Sequence, residues 1–193
     1  YPVKDLFDIL EIVPSDNLSF STSGFDIPGI IDENICVKAF NLLKADFRIQ
    51  PVKIHLHKQI PIGAGLGGGS ADGAFTLIIL NKIFDLRLSN NQLLKYALKL
   101  GADCPFFIEN KPKYVSGIGE KMSPVDLDLS EFQLKFIFPS LHISTTEAYA
   151  EITSKTPIID LLNLISQPID KWKGKVKNDF ELSAFIKYPE LRK

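Results

Sequence analysis

The stretch Pro61-Ile62-Gly63-Ala64-Gly65-Leu66-Gly67-Gly68-Gly69-Ser70 decides how this chain is read. Ahead of it, Val52, Ile54 and Leu56 alternate with Lys53, His55 and His57, the period of two of a strand with one wet face. Behind it, Ser70 to Leu80 is apolar and long enough for a buried helix. The element is therefore strand, glycine loop, helix. Glycine lets the backbone take positive φ and lets a ligand approach without meeting a Cβ. Successive N–H groups then face one concavity, and the helix start adds its unpaired N–H groups and the positive end of its dipole. Such an arrangement binds phosphate. Ser70 is expected at the helix start, where its hydroxyl can cap the helix or reach a phosphate or its Mg²⁺. A turn that needed glycine only for its geometry would not need five of them.

Two familiar phosphate loops are excluded. No Gly-Lys-Ser/Thr closes the stretch, so it is not a Walker loop. Gly63, Gly65 and Gly68 satisfy G-x-G-x-x-G, but a dinucleotide fold needs a second parallel strand after the helix. Here Asp85-Leu86-Arg87-Leu88 leads into another helix instead.

The remainder reads as an α+β chain. Leu6 to Val13 and Leu18 to Ser23 are expected as strands in hairpin-like order. The Asp32 carboxylate is expected to cap a helix from Glu33 to about Ala45, with Cys36, Ala39, Phe40 and Leu43 as its buried stripe. Ser89-Asn90-Asn91-Gln92 is a capping box for a helix with Leu93, Leu94, Ala97 and Leu98 inward, stopped by Gly101. Asp103 then stands alone in Gly101-Ala102-Asp103-Cys104-Pro105-Phe106; read from the residues, it is a loop cap or a placed functional acid. Leu134, Phe136 and Phe138 predict a strand ending at Pro139, Ser144 to Glu147 a second capping box, and Thr156-Pro157 a further helix with Leu161, Leu162 and Ile165 in the core. Asn178 to Glu181 opens a last helix. The lysines around Trp172 read as a solvated loop. His55 and His57 share a strand face but lack a third ligand, so no residue is assigned to a metal. A domain boundary is placed in Pro124–Asp128, giving domains 1–128 and 129–193.

Composition narrows the classes. Net charge is −1, which offers no electrostatic case for nucleic acid or a membrane surface. Cys36 and Cys104 have no metal or disulfide spacing and imply a reduced, cytoplasmic chain, with oligomeric state left open.

The run Pro61 to Asp72 resembles the P-x-x-x-G-L-G-S/G-S/G-S/A motif of the GHMP small-molecule kinases. Its three glycines after Leu66 narrow the resemblance to the branch acting on a cytidine-diphosphate-linked methylerythritol in non-mevalonate isoprenoid synthesis. The resemblance implies a two-domain fold: an N-terminal sheet and helices like ribosomal protein S5 domain 2, and an incomplete C-terminal α+β domain. It implies Mg·ATP as phosphoryl donor, with Pro61, Gly63, Ala64, Gly65, Leu66, Gly67, Gly68, Gly69 and Ser70 around the phosphates and Asn34 and Lys58 near the base. It makes Asp103 the catalytic acid that takes the substrate hydroxyl's proton, and Tyr149 the ring that stacks on cytosine. Tyr114 to Glu120 fits the family's G-x-G-E segment, physically a turn. Two family motifs have no counterpart here, an N-terminal lysine with a glycine-aromatic-histidine triplet and a C-terminal glycine loop. The chain is thus expected to be part of a longer enzyme. Another GHMP acceptor (homoserine, mevalonate or a sugar) and an inactive nucleotide-binding module are the alternatives.

Overall fold

The computed structural model describes residues 1–3, 5–117, 119, 121–139, 141, 143–150, 152 and 160–192. The chain forms two compact units, Tyr1–Val125 and Asp126–Lys193. The first holds β1 (Ile9–Pro14), β2 (Ser19–Gly24), α1 (Ile35–Asp46), β3 (Val52–Lys58), α2 (Gly68–Ile83), α3 (Asn90–Leu100), α4 (Cys104–Glu109), β4 (Lys113–Ser116) and β5 (Lys121–Pro124).

Its main sheet has the order β1-β3-β2, with β1 antiparallel and β2 parallel to β3. The first two strands are therefore not a hairpin, as expected from sequence; β3 lies between them. The link Ser15–Leu18 permits this. Four extended residues reach about 13 Å, against the roughly 10 Å between two strands that flank a third. Ser15 N–H donates to Pro51 O at 2.9 Å as the link passes the start of β3.

The alternation of β3 sets the layer order. Val52, Ile54, Leu56 and Lys58 are buried, while Lys53 is exposed and His55 and His57 are half-buried. On the outer face His55 shares hydrogen bonds with Ser21 and Ser23 at 2.9 and 3.0 Å, and His57 with Ser23 at 2.8 Å. The histidines thus form a polar ladder with β2, and among the described residues no His/Cys/Asp/Glu group of metal-binding size occurs.

The inner layer is helical. Cys36, Ala39, Phe40 and Leu43 of α1 are fully buried, as the spacing predicts. The cap differs from expectation. A 3-10 turn occupies Ile31–Glu33, and Asn34, not Asp32, caps α1 by accepting from Cys36 N–H at 2.9 Å. Asn34 is extended where Asp32 is already inside the turn, and a cap needs the extended backbone. Helix α2 buries Ala74, Leu77 and Leu80 and passes α1 at Gly73, where a Cβ would lie 2.7 Å from Ile35 Cγ1. Helix α3 begins with its capping box, Ser89 N–H donating to Gln92 Oε1 at 3.0 Å. Leu93 and Ala97 are its buried residues, while Leu98, expected on the stripe, is exposed.

In the second unit the helices are α5 (Thr145–Ala150), α6 (Leu161–Ile165) and α7 (Phe180–Lys187). Glu147 ties α5 to the end of α7, accepting from Tyr188 Oη at 2.6 Å and pairing with Lys187. Ser144 accepts from Glu147 N–H at 3.2 Å, so the serine half of the expected capping box forms. Thr156 and Pro157 lie outside the described residues. Asp160 caps α6, and Leu164 rather than Leu161 or Leu162 is its buried residue. The expected strand at Leu134–Phe138 pairs with no other strand among the described residues; its alternation instead stacks Phe136 on Phe138, centroids 6.2 Å apart. Lys173, Lys175 and Lys177 are exposed, as expected of a solvated loop.

Candidate active site

Strand β3 ends at Lys58, and α2 begins at Gly68, two residues earlier than the sequence pattern implies. Gly67 is the N-cap, left-handed at φ 70°, and Gly63 and Gly65 are left-handed too, at φ 78° and 70°. These angles are why glycine recurs at every second position before the helix. The first intrahelical bond runs from Ala71 N–H to Gly67 O at 2.9 Å. The N–H groups of Gly67 to Ser70 therefore precede the helix ladder. A Cβ at Gly65 or Gly69 would meet nothing within 4 Å, so the mouth of the loop is open. Ser70 lies inside the first turn rather than at the cap, with its hydroxyl beside the Cys104 thiol.

That contact brings α4 to the loop. The ring of Phe107 lies so close to Gly67 that a Cβ there would sit 2.9 Å from it. With Cys104 against Ser70 and Phe107 against Gly67, the start of α4 abuts the first turn of α2. Asp103 stands at the N-cap of α4, where its backbone is helical (φ −88°, ψ −18°), its side chain makes no capping bond and it is exposed. The loop-cap reading of Asp103 is thereby set aside, because a carboxylate caps from an extended backbone. The turn of the β4–β5 hairpin, with Gly117 at φ 71° and Gly119 at φ 109°, closes on this segment. A Cβ at Gly119 would lie 3.1 Å from Ala102 O. Ile118 and Glu120 of the expected G-x-G-E segment fall outside the described residues.

Lys58 is not a cation offered to solvent. It lies on the buried face of β3, its Nζ donating to Asp8 Oδ2 at 2.6 Å and Asp72 Oδ2 at 2.7 Å. All three side chains are at most 7% exposed. Asp8 Oδ1 also accepts from Gln59 N–H at 2.7 Å and Ile60 N–H at 2.9 Å. Burial alone would lower the Lys58 ammonium, but its hydrogen bonds to Asp72 and Asp8 hold it above the ordinary range. Asp72 is pushed up to about 6: burial raises it, Lys58 pulls it back, and the Asp8 charge adds to the rise. One ammonium shared with a second carboxylate does not offset the burial of Asp72.

Sequence reasoning missed Asp8 and Asp72, although a signal for the lysine existed. The period of two that buries Val52, Ile54 and Leu56 carries Lys58 to the same face, and a buried lysine requires carboxylate partners. Asn34 is placed at the start of α1 with its Oδ1 committed to the cap. Tyr149 belongs to the second unit, 63% exposed, with Phe180 set edge-on to it at 5.0 Å. Beside the loop a cavity of about 680 Å³ is lined by Asp8, Gly65, Leu66, Gly68, Asp72, Phe75 and Phe107, among others. That volume suits a small-molecule ligand.

Comparison with known proteins agrees with this geometry. Residues 34–111, which hold Asn34, Lys58, the glycine loop and Asp103, match the GHMP kinases N terminal domain. The chain is 47% identical over 189 residues to the 4-diphosphocytidyl-2-C-methyl-D-erythritol kinase of Azobacteroides pseudotrichonymphae, covering 97% of this chain and 71% of that protein. It is 45% identical over 195 residues to the enzyme of the same name from Bacteroides fragilis, covering 99% and 71%. The chain belongs to the 4-diphosphocytidyl-2-C-methyl-D-erythritol kinase family of GHMP kinases. A crystal structure of 4-(cytidine 5'-diphospho)-2C-methyl-D-erythritol kinase superposes with TM-score 0.76 at 28% identity, over 96% of this chain and 66% of that one. A homoserine kinase from Cytophaga hutchinsonii, at 15% identity and TM-score 0.56, shares the fold alone. The chain thus spans about two thirds of the solved family member. The α+β fold expected from sequence is borne out by this family's fold. Among the described residues no helix is long and apolar enough to cross a membrane.

Proposed function

We propose that this chain is the greater part of an ATP-dependent kinase that phosphorylates the 2-hydroxyl of 4-diphosphocytidyl-2-C-methyl-D-erythritol, in the non-mevalonate route to isoprenoid precursors. The observation that carries the reading is Asp103: an exposed carboxylate, free of capping, at the start of the helix whose Cys104 and Phe107 lie against the first turn of α2. The loop from Pro61 through Gly63, Ala64, Gly65, Leu66, Gly67, Gly68 and Gly69 to Ser70 holds the triphosphate by backbone N–H groups. Asp103 orients the substrate hydroxyl and accepts its proton as the oxygen attacks the γ-phosphorus and ADP leaves. Phosphoryl transfer asks the protein for alignment and for neutralising charge, which a nest of N–H groups and one carboxylate can provide.

Mg²⁺ fits such a site. It binds chiefly through substrate phosphates with few protein ligands, and the Ser70 hydroxyl in the first turn of α2 would be a side chain to reach it. When bound it neutralises charge on the phosphoryl oxygens. Asn34 contributes to the base site through its amide nitrogen, the oxygen being engaged in the cap. Lys58, enclosed by Asp8 and Asp72, shapes the loop from beneath. Tyr149 offers an exposed ring for the cytosine, worth about 1–3 kcal/mol where bases stack on aromatic side chains. Two free, buried cysteines suit a reducing, cytoplasmic setting.

Asp103→Asn in the intact enzyme is expected to lower turnover about 10²- to 10⁴-fold, the range of general acid–base groups, with ATP still bound. Turnover at the wild-type rate would remove Asp103 from the chemistry. Homoserine phosphorylated in preference to the cytidyl substrate would remove the acceptor.

A further inference from the structure

The glycine loop needs something to hold its shape. Among the described residues its own backbone supplies a single internal hydrogen bond, Ala64 N–H to Pro61 O at 3.3 Å. A run of glycines is costly to order, at about 1–2 kcal/mol per residue for the backbone. The anchoring lies at the two ends. Where the chain leaves β3, Asp8 Oδ1 accepts from Gln59 and Ile60 N–H. Where it re-enters helix, Asp72 on the first turns of α2 accepts from Lys58 Nζ. Asp8 Oδ2 accepts from the same Nζ, so one continuous chain of charged hydrogen bonds joins both ends of the loop. Gly68 rests directly on it: a Cβ there would lie 3.2 Å from Lys58 Nζ and 3.3 Å from Asp8 Oδ2.

We propose that Asp8, Lys58 and Asp72 are positioning residues for phosphoryl-donor binding, an ion triad that fixes the separation between the exit of β3 and the start of α2 and so the curvature of the N–H cradle between them. Stability alone is a poor account of the triad. Buried ion pairs usually cost as much in desolvation as they return, and an apolar replacement serves as well. What the triad supplies is geometry, since charge-assisted hydrogen bonds are short and directional. Asp8 lies far upstream of the loop in sequence, so the shape of the cradle depends on a segment outside the loop and its flanking elements. The inference rests on the kinase reading above and deepens it.

The test uses the intact enzyme and two perturbations. Asp8→Asn turns an amide against the Lys58 ammonium and disturbs the exit of β3. The pair Lys58→Met with Asp72→Asn cuts the link to α2 and leaves the Asp8 carboxylate to the Gln59 and Ile60 N–H groups alone. Both are measured for kcat, for KM of ATP and of the alcohol, and for thermal melting. KM for ATP is expected to rise about ten- to a hundredfold, the cost of misplacing a binding group by about an ångström. KM for the alcohol is expected to stay within about twofold, because the lost interaction is with the donor alone. Lys58→Arg, which keeps both ion pairs, is expected to recover most of the ATP affinity. Should Asp8→Asn fail to fold, the double variant decides. Folded variants with wild-type KM for ATP overturn the inference while leaving the kinase reading intact. A wild-type enzyme that binds no ATP overturns the kinase reading itself.

Discussion

Asp72 gives the fold a pH dependence whose sign is opposite to that of most paired carboxylates. Its carboxyl rises from the ordinary 3.8 to about 6, chiefly through burial. An acid whose folded pKa lies above its unfolded value favours the folded state most when protonated. Its contribution is complete below about pH 4 and is lost as pH rises through about 6. A rise of about two pH units corresponds to about 3 kcal/mol, at roughly 1.4 kcal/mol per unit. Lys58 limits the effect but does not reverse it, because Asp8 holds the same ammonium. Asp72→Asn removes the titration yet keeps an oxygen for Lys58. Stability of the variant relative to wild type is therefore expected to increase by about 3 kcal/mol between about pH 4 and about pH 7. Urea unfolding followed by far-UV circular dichroism is the assay, because the single tryptophan, Trp172, lies in the second unit and reports on that one. Taking the difference between the two proteins at each pH cancels every titrating group that does not interact with Asp72; its partners Lys58 and Asp8 stay in the difference. A difference that does not change with pH, or wild type gaining on the variant as pH rises, would refute the reasoning: Lys58 would then outweigh burial.

Two smaller perturbations separate structure from ligand contact. Gly67→Ala forces a left-handed alanine and sets its Cβ 2.9 Å from Phe107, so a loss of at least about 1–2 kcal/mol is expected, with weaker ATP binding; an unchanged urea midpoint would contradict the contact. Asn34→Ala is expected to lose about 1 kcal/mol with its cap, and Asn34→Ser to restore it. If serine restores stability but KM for ATP stays raised, the amide nitrogen of Asn34 reaches the nucleotide; full recovery of both would confine Asn34 to capping.

Much of the fold and site was legible from local pattern. The alternation in β3, the stripe Cys36-Ala39-Phe40-Leu43 and the capping box at Ser89 are consequences of backbone periodicity and of unpaired N–H groups at helix starts, which neighbouring residues must satisfy. The glycine loop was legible for the same reason: five residues without Cβ before an apolar helix have few other uses. Asp103 was visible as an isolated acid, but its residues could not separate a cap from a functional group. The helical backbone at Asp103 removed the cap, and the contacts of Cys104 and Phe107 brought the start of α4 to α2. The cap was expected at Asp32, and the 3-10 turn at Ile31–Glu33 moved it to Asn34.

By itself the sequence determined β3, the buried stripe of α1, the capping box of α3, the glycine loop and the kinship with GHMP kinases, since each is written in residues close together along the chain. Only the tertiary structure decided that β3 runs between β1 and β2, that Lys58 turns inward, and that Asp8 and Asp72 meet it there. Those outcomes depend on partners 50 and 14 residues away, brought within hydrogen-bond reach by the sheet order and the packing of α2. Periodicity states which face of a strand a side chain occupies. Topology states what waits on that face.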